Sequence, residues 1–102
     1  MKATQRLTDR RQTILTAALA VATSAGYLRT TRDAVAAEAG CSPALVSFHL
    51  GTLPQMQRAI MGEALRTRCL RVIAQGLAHG DRRALNAPAE LREAAAASLT
   101  AV

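Results

Sequence analysis

Residues 30–50 read TTRDAVAAEAGCSPALVSFHL, and the punctuation inside this stretch leaves few folds open. Thr30 or Thr31 can cap a helix with its hydroxyl, and Asp33 then falls in the first turn, where negative charge complements the free N–H groups. Val35, Ala36 and Ala39 lie on one stripe, and Gly40 follows as the residue able to enter the left-handed conformation that ends a helix. Ser42 can cap a second helix with Pro43 in its first turn. In that helix Val46 and Leu50, four apart, face inward, while Ala44, Ser47 and Phe48 point elsewhere. Two helices joined across Gly40, Cys41 and Ser42 must cross steeply. A helix-turn-helix of this kind presents its second helix as a probe for the DNA major groove.

The flanking sequence supplies the packing partners. Residues 1–7 show no periodicity and read as an arm whose Lys2 and Arg6 could lie along phosphates, or equally as a solvated tail. Thr8 or Asp9 can cap a helix over residues 10–25, with Ile14, Leu15, Ala18, Leu19 and Ala22 at helical spacing. Gly26 ends it, and Tyr27 and Leu28 are expected to pack back onto the helices around it. After Leu50, Thr52 and Gln55 form the pattern of a capping box, with Pro54 in the first turn of a long helix expected to reach about residue 78. Its apolar stripe changes sides: Met56 and Ile60 share one face, whereas Met61, Leu65, Cys69, Val72, Ile73 and Leu77 fall on roughly the opposite one, interrupted by Arg66. His79, Gly80 and Asp81 form a turn. Asn86 and Pro88 introduce a last helix to about residue 99, carrying Leu91, Ala95 and Leu99 and an Ala run at 94–97.

Composition bounds the function. The chain is 102 residues long, the size of one domain, and only Tyr27 and Phe48 are aromatic, so its core must be built from Ala, Leu, Ile and Val. A net charge of +6 argues for a polyanionic partner, nucleic acid first and a membrane surface second. Residues 1–33 hold six Lys or Arg against two Asp, a surplus of four beside the reading unit. The polar start lacks the apolar stretch of a signal peptide, and the uncharged run over 13–28 is too short to span a bilayer. A soluble, cytoplasmic, nucleoid-associated chain is therefore expected. Cys41 and Cys69 stand apart from each other and from histidines, which reads as two reduced, half-buried thiols and no metal site. Glu38 and Glu63 form no acid-base pair and no phosphate loop is present, so neither catalysis nor a cofactor is expected.

The tract and the helix before it resemble the DNA-binding domain of TetR-family transcriptional regulators. In that family a Gly-aromatic pair leads to Thr-Thr, an Ala-Gly-x-Ser turn and a recognition helix closing on His-aromatic or His-aliphatic. Here these are Gly26-Tyr27, Thr30-Thr31, Ala39-Gly40-Cys41-Ser42 and His49-Leu50, and the match covers roughly residues 10–65. The chain departs from the family at Ala44-Leu45, where Gly-Thr is usual, at Ser47, usually Tyr, and at Leu53, usually Lys. After about residue 78 only one short helix is expected, where the family generally carries a longer C-terminal portion that encloses an effector.

The resemblance implies DNA contact by Thr31, Arg32, Ser42, Pro43, Ala44, Leu45, Ser47, Phe48, His49 and Thr52. Thr31 and His49 would touch the backbone and Arg32 a base or phosphate, with a structural hydrogen bond as the alternative role of His49. Pro43, Ala44 and Leu45 cannot make bidentate hydrogen bonds, so their readout would be contact with thymine methyls. His79 reads as a turn residue.

These readings combine into an all-α fold. A helix-turn-helix core with its basic arm occupies residues 1–52, and a long helix plus a C-terminal helix occupies 53–102 as one compact unit with it. The expected function is a sequence-specific regulator, a repressor, binding double-stranded DNA as a homodimer on a palindromic operator. The interface would comprise Leu65, Cys69, Val72, Ile73, Leu77, Leu91, Ala95 and Leu99, because one short helix looks too small to cover that stripe. No effector pocket is expected within one chain. Two alternatives stay open: an interaction module that has lost DNA binding, and a basic amphipathic protein of membrane surfaces.

Overall fold

Ala, Gln, Arg and Leu near the start favour helix, and no Gly or Pro interrupts the chain before Gly26, so helix α1 runs unbroken over Lys2–Ala25. The computed structural model describes residues 2–100, and the side chains of residues 6–99. The expected arm is thus the first turns of α1, with Thr8 and Asp9 inside the helix instead of capping it. Arg6 is an exposed helical residue; the Lys2 side chain lies outside the described residues. Ile14, Leu15, Ala17, Ala18 and Ala22 form the buried face of α1, which packs against four of the helices that follow.

A single 3-10 turn, Tyr27–Arg29, leads out of α1. Tyr27 is buried as expected, whereas Leu28 is 41% exposed and does not pack back. Buried Thr30 donates its hydroxyl to the Gly26 carbonyl at 2.9 Å, so the capping role falls to Thr31, which accepts from Ala34 N at 3.1 Å and starts α2 (Arg32–Ala39). Gly40 adopts φ 70°, the left-handed conformation its place required. Ser42 Oγ accepts from Leu45 N and opens α3 (Pro43–Leu50), whose Val46 and Leu50 are buried. Thr52 and Gln55 form the reciprocal capping box of α4 (Leu53–Thr67).

The expected long helix is two helices. Arg68 takes a left-handed φ of 59°, Cys69 N donates to Ala64 O at 2.8 Å, and α5 (Leu70–His79) starts in a new direction. The switching stripe supplies the reason. A straight helix would hold Met56 and Ile60 opposite Val72 and Ile73, while a break lets all four reach one core, where none is exposed. A non-glycine residue in this conformation costs about 1–2 kcal/mol, small beside burying two β-branched side chains at roughly 1.5–3 kcal/mol each.

Asp81 then caps a short α6 (Arg82–Leu85), and α7 (Ala89–Thr100) lies along α5. All the described secondary structure is helical, and the fold is all-α.

This packing corrects the premise of the dimer interface. Met61, Val72, Ile73, Leu91 and Ala95 are buried within one chain, because α1, α6 and α7 together cover the stripe that α7 alone could not. Leu65, Cys69 and Leu77 are half-buried, and Leu99 is exposed. Glu63 is also inside. It accepts from Arg66 Nε at 2.8 Å and Nη2 at 2.7 Å and from Gln12 Nε2 at 2.7 Å, which ties α4 to α1. Hydrogen bonds from Arg66 chiefly hold its carboxyl below the ordinary range. Both cysteines are free thiols, half-buried as expected.

Candidate nucleic-acid interface

With Val46 and Leu50 turned inward, the remaining positions of α3 sort by their helical angles into two flanks and a crest. Pro43, Ala44 and Ser47 form one flank. Facing them across an open groove of about 660 Å³ are residues 28–33 and Leu53. Leu45 and His49 form the other flank, where Arg6, Leu7 and Arg10 of α1 close a second, mainly apolar hollow. Phe48 stands on the crest at 71% exposure, its ring edge-on to His49 with centroids 5.0 Å apart.

Two arginines and one acid line the groove. Arg32, the first residue of α2, donates from Nη1 to Ser47 Oγ at 2.8 Å, so the two helices of the turn are tied across the groove by a cation and a hydroxyl. Ser47 can still donate its own hydrogen, and Arg32 keeps its other guanidinium donors. Arg29 lines the same groove; Asp33 is the acid among its lining residues. Thr31, Ser42 and Thr52 are exposed, and each spends its oxygen as acceptor for a helix N-terminus. Each hydroxyl hydrogen therefore remains available to an anion, beside backbone N–H groups that themselves favour negative charge.

The structure thus brings together Thr31, Arg32, Pro43, Ala44 and Ser47 on one groove, and Leu45, Phe48 and His49 on the crest and far flank with Arg6. Ser42 and Thr52 stand at the starts of α3 and α4. His49 is half-buried, and its Nε2 is buried without a hydrogen-bond partner, so the structural bond considered for it is not made at that atom.

The sequence reading missed Leu28 and Arg29 in the groove and Leu7 and Arg10 on the far flank. For Arg10 a signal existed: Arg6 and Arg10 are four apart, a helical spacing hidden by reading residues 1–7 as an arm. Arg29 gave none, since Thr30 and Thr31 are extended and no helical spacing ties it to Arg32. Among the described residues no His, Cys, Asp and Glu gather into a set that could hold a metal ion, and no helix is long and apolar enough to cross a membrane. No protein-family model, curated protein or solved structure matches this chain.

Proposed function

We propose that the chain is a sequence-specific DNA-binding regulator of the helix-turn-helix type, a repressor acting by occupancy of an operator. The observation that carries the reading is the exposed, mostly small-residue face of α3 beside the Arg32–Ser47 bond. Pro43, Ala44 and Ser47 let base edges approach closely, Phe48 and Leu45 offer apolar contact to thymine methyls, and Arg29 and Arg32 supply positive charge at the rim. The net charge of +6 supplies attraction independent of sequence. The TetR-family resemblance belongs to this proposal, as does a homodimer on a palindromic site. Of the interface residues expected from the sequence, the half-buried Leu65, Cys69 and Leu77 and the exposed Leu99 remain free to take part, since Val72, Ile73, Leu91 and Ala95 are already covered.

A second reading has its own observation. Leu28, Phe48 and Leu53 are large apolar residues exposed around the same helix, which would suit a protein partner. A gel shift across a salt series, with selection of duplexes from a random pool, separates the two. The DNA reading expects affinity that falls steeply with salt and a recoverable consensus. In it, Arg32→Ala weakens binding, and changes at Leu45 or Ser47 alter the consensus at a cost of roughly 1–3 kcal/mol per lost base contact. No duplex binding at low salt would favour the interaction module.

A further inference from the structure

On the side of α3 away from the Arg32 groove, the C-terminal end of that helix borders a further open cleft, of about 450 Å³, to which Phe48 and His49 contribute from α3. Arg11 of α1, Arg58 of α4 and Arg83 of α6 converge on it from three separate elements, and no Asp or Glu is among the lining residues. None of the three forms a salt bridge among the described residues. Glu63 acts on Arg11 electrostatically, but its oxygens are engaged by Arg66 and Gln12.

Arg83 is held in place. Asp81 fixes the start of α6 by accepting from Arg83 N at 2.9 Å, and Arg83 Nη1 donates to the Arg58 carbonyl at 3.0 Å. Gly62 leaves room for this guanidinium, since a Cβ there would stand 3.3 Å from Nη1. The lining also includes His49, whose Nε2 is buried with no partner. Like charges gathered this way repel one another unless an anion is shared between them, and guanidinium forks match phosphate oxygens in geometry.

We propose that this cleft is a phosphate-binding site, in which Arg11, Arg58 and Arg83 hold a phosphoryl group beside His49. The site stands on these residues alone; only the source of the phosphate rests on the DNA reading. With α3 in a major groove about 12 Å wide, the Arg32 groove and this cleft would meet the backbones on the two sides of the helix. A free phosphate ester would use the same donors.

The test follows arginine side-chain Nε–H and His49 ring resonances by NMR while inorganic pyrophosphate, and separately a random-sequence duplex, is titrated into the protein. The R58Q/R83Q double variant is measured alongside, with circular dichroism to confirm its fold. If it unfolds, the single variants R58Q and R83Q replace it. Saturable shifts at Arg58 and Arg83, and pyrophosphate affinity at least about tenfold lower in the variant, would support the site. With duplex, the salt slope should fall by roughly one per lost phosphate contact, equally for all sequences.

Pyrophosphate binding without duplex binding would keep the cleft, with a free phosphate as ligand, and reject the DNA reading. Duplex binding with an unchanged slope in the variant and no response to pyrophosphate would reject the cleft and leave the DNA reading standing. A salt slope that falls in the variant without a pyrophosphate response would assign the cleft to backbone phosphate. No response to either probe, or equal affinities in variant and parent, would overturn it.

Discussion

The α2–α3 unit and the α5–α7 unit are both short helices joined by tight turns, yet they dispose of their apolar residues in opposite ways. In α5–α7, Val72, Ile73, Ala74, Ala84, Leu91 and Ala95 are buried against one another and against α1 and α4. In α2–α3 the inward residues are few, Val35, Ala36, Val46 and Leu50, while Phe48 stands mostly in water and Leu28 and Leu53 are exposed beside the groove on the other flank of α3. The C-terminal half buries most of its apolar surface, with Leu85 and Leu99 left exposed, whereas the N-terminal half leaves Leu28, Phe48 and Leu53 in water beside its arginines and open grooves.

Exchanging one residue from each unit should break this contrast most sharply if it is mistaken. Ile73→Ala, at a fully buried position, is expected to cost about 2–5 kcal/mol in urea unfolding, whereas Phe48→Ala should stay within about 0.5 kcal/mol while weakening duplex binding. Equal losses of stability would show that Phe48 is structural.

The glycines give a finer comparison. At Gly76 a Cβ would come within 2.5 Å of Met61 Cε and 2.9 Å of Ala84 Cβ, so Gly76→Ala should cost about 1–3 kcal/mol through overpacking of α5 on α4 and α6. At Gly40 nothing lies within 4 Å, and only the φ of 70° resists a side chain. Gly40→Ala should cost about 1 kcal/mol and Gly40→Asn less. Thermal melts in which Gly40→Asn is as damaging as Gly76→Ala would contradict that division.

The smallest effect concerns the link between the units. Tyr27 N–H donates to Gln75 Oε1 at 2.9 Å, and the Tyr27 hydroxyl donates to Asp81 Oδ2 at 3.2 Å. Burial first, and then the Asp81 charge and hydrogen bond, push the phenol up to about 12 from 10.0. Because the folded state retains the proton longer than the unfolded state, this contribution is complete below pH 10 and is lost as pH rises toward 12. Stability should fall by about 1 kcal/mol by about pH 10.5, and Tyr27→Phe should remove that slope. A variant with the same alkaline slope would place the titration elsewhere.

Local chemistry was enough to read much of the fold. The caps at Thr31, Ser42 and Thr52, the stops at Gly26 and Gly40 and the inward pair Val46 and Leu50 follow from hydrogen bonds and spacings within a few residues. The outward face of α3, with Pro43, Ala44, Ser47 and Phe48, was legible for the same reason. The break at Arg68 was not, because arginine carries no local preference for φ 59° and yields to it only when both stripes can reach one core. Nor was the destination of the α5 stripe, since whether a neighbouring chain or this chain covers Val72 and Ile73 depends on where α1, α6 and α7 dock. The meeting of Arg11, Arg58 and Arg83 is of the same kind: residues far apart in the chain share a cleft through packing alone. Periodicity and caps determined the helices on either side of Gly40 and most of the inward residues; only the tertiary structure decided where α1 begins, where the long helix breaks and which helix each face meets, because burial is a property of pairs of surfaces.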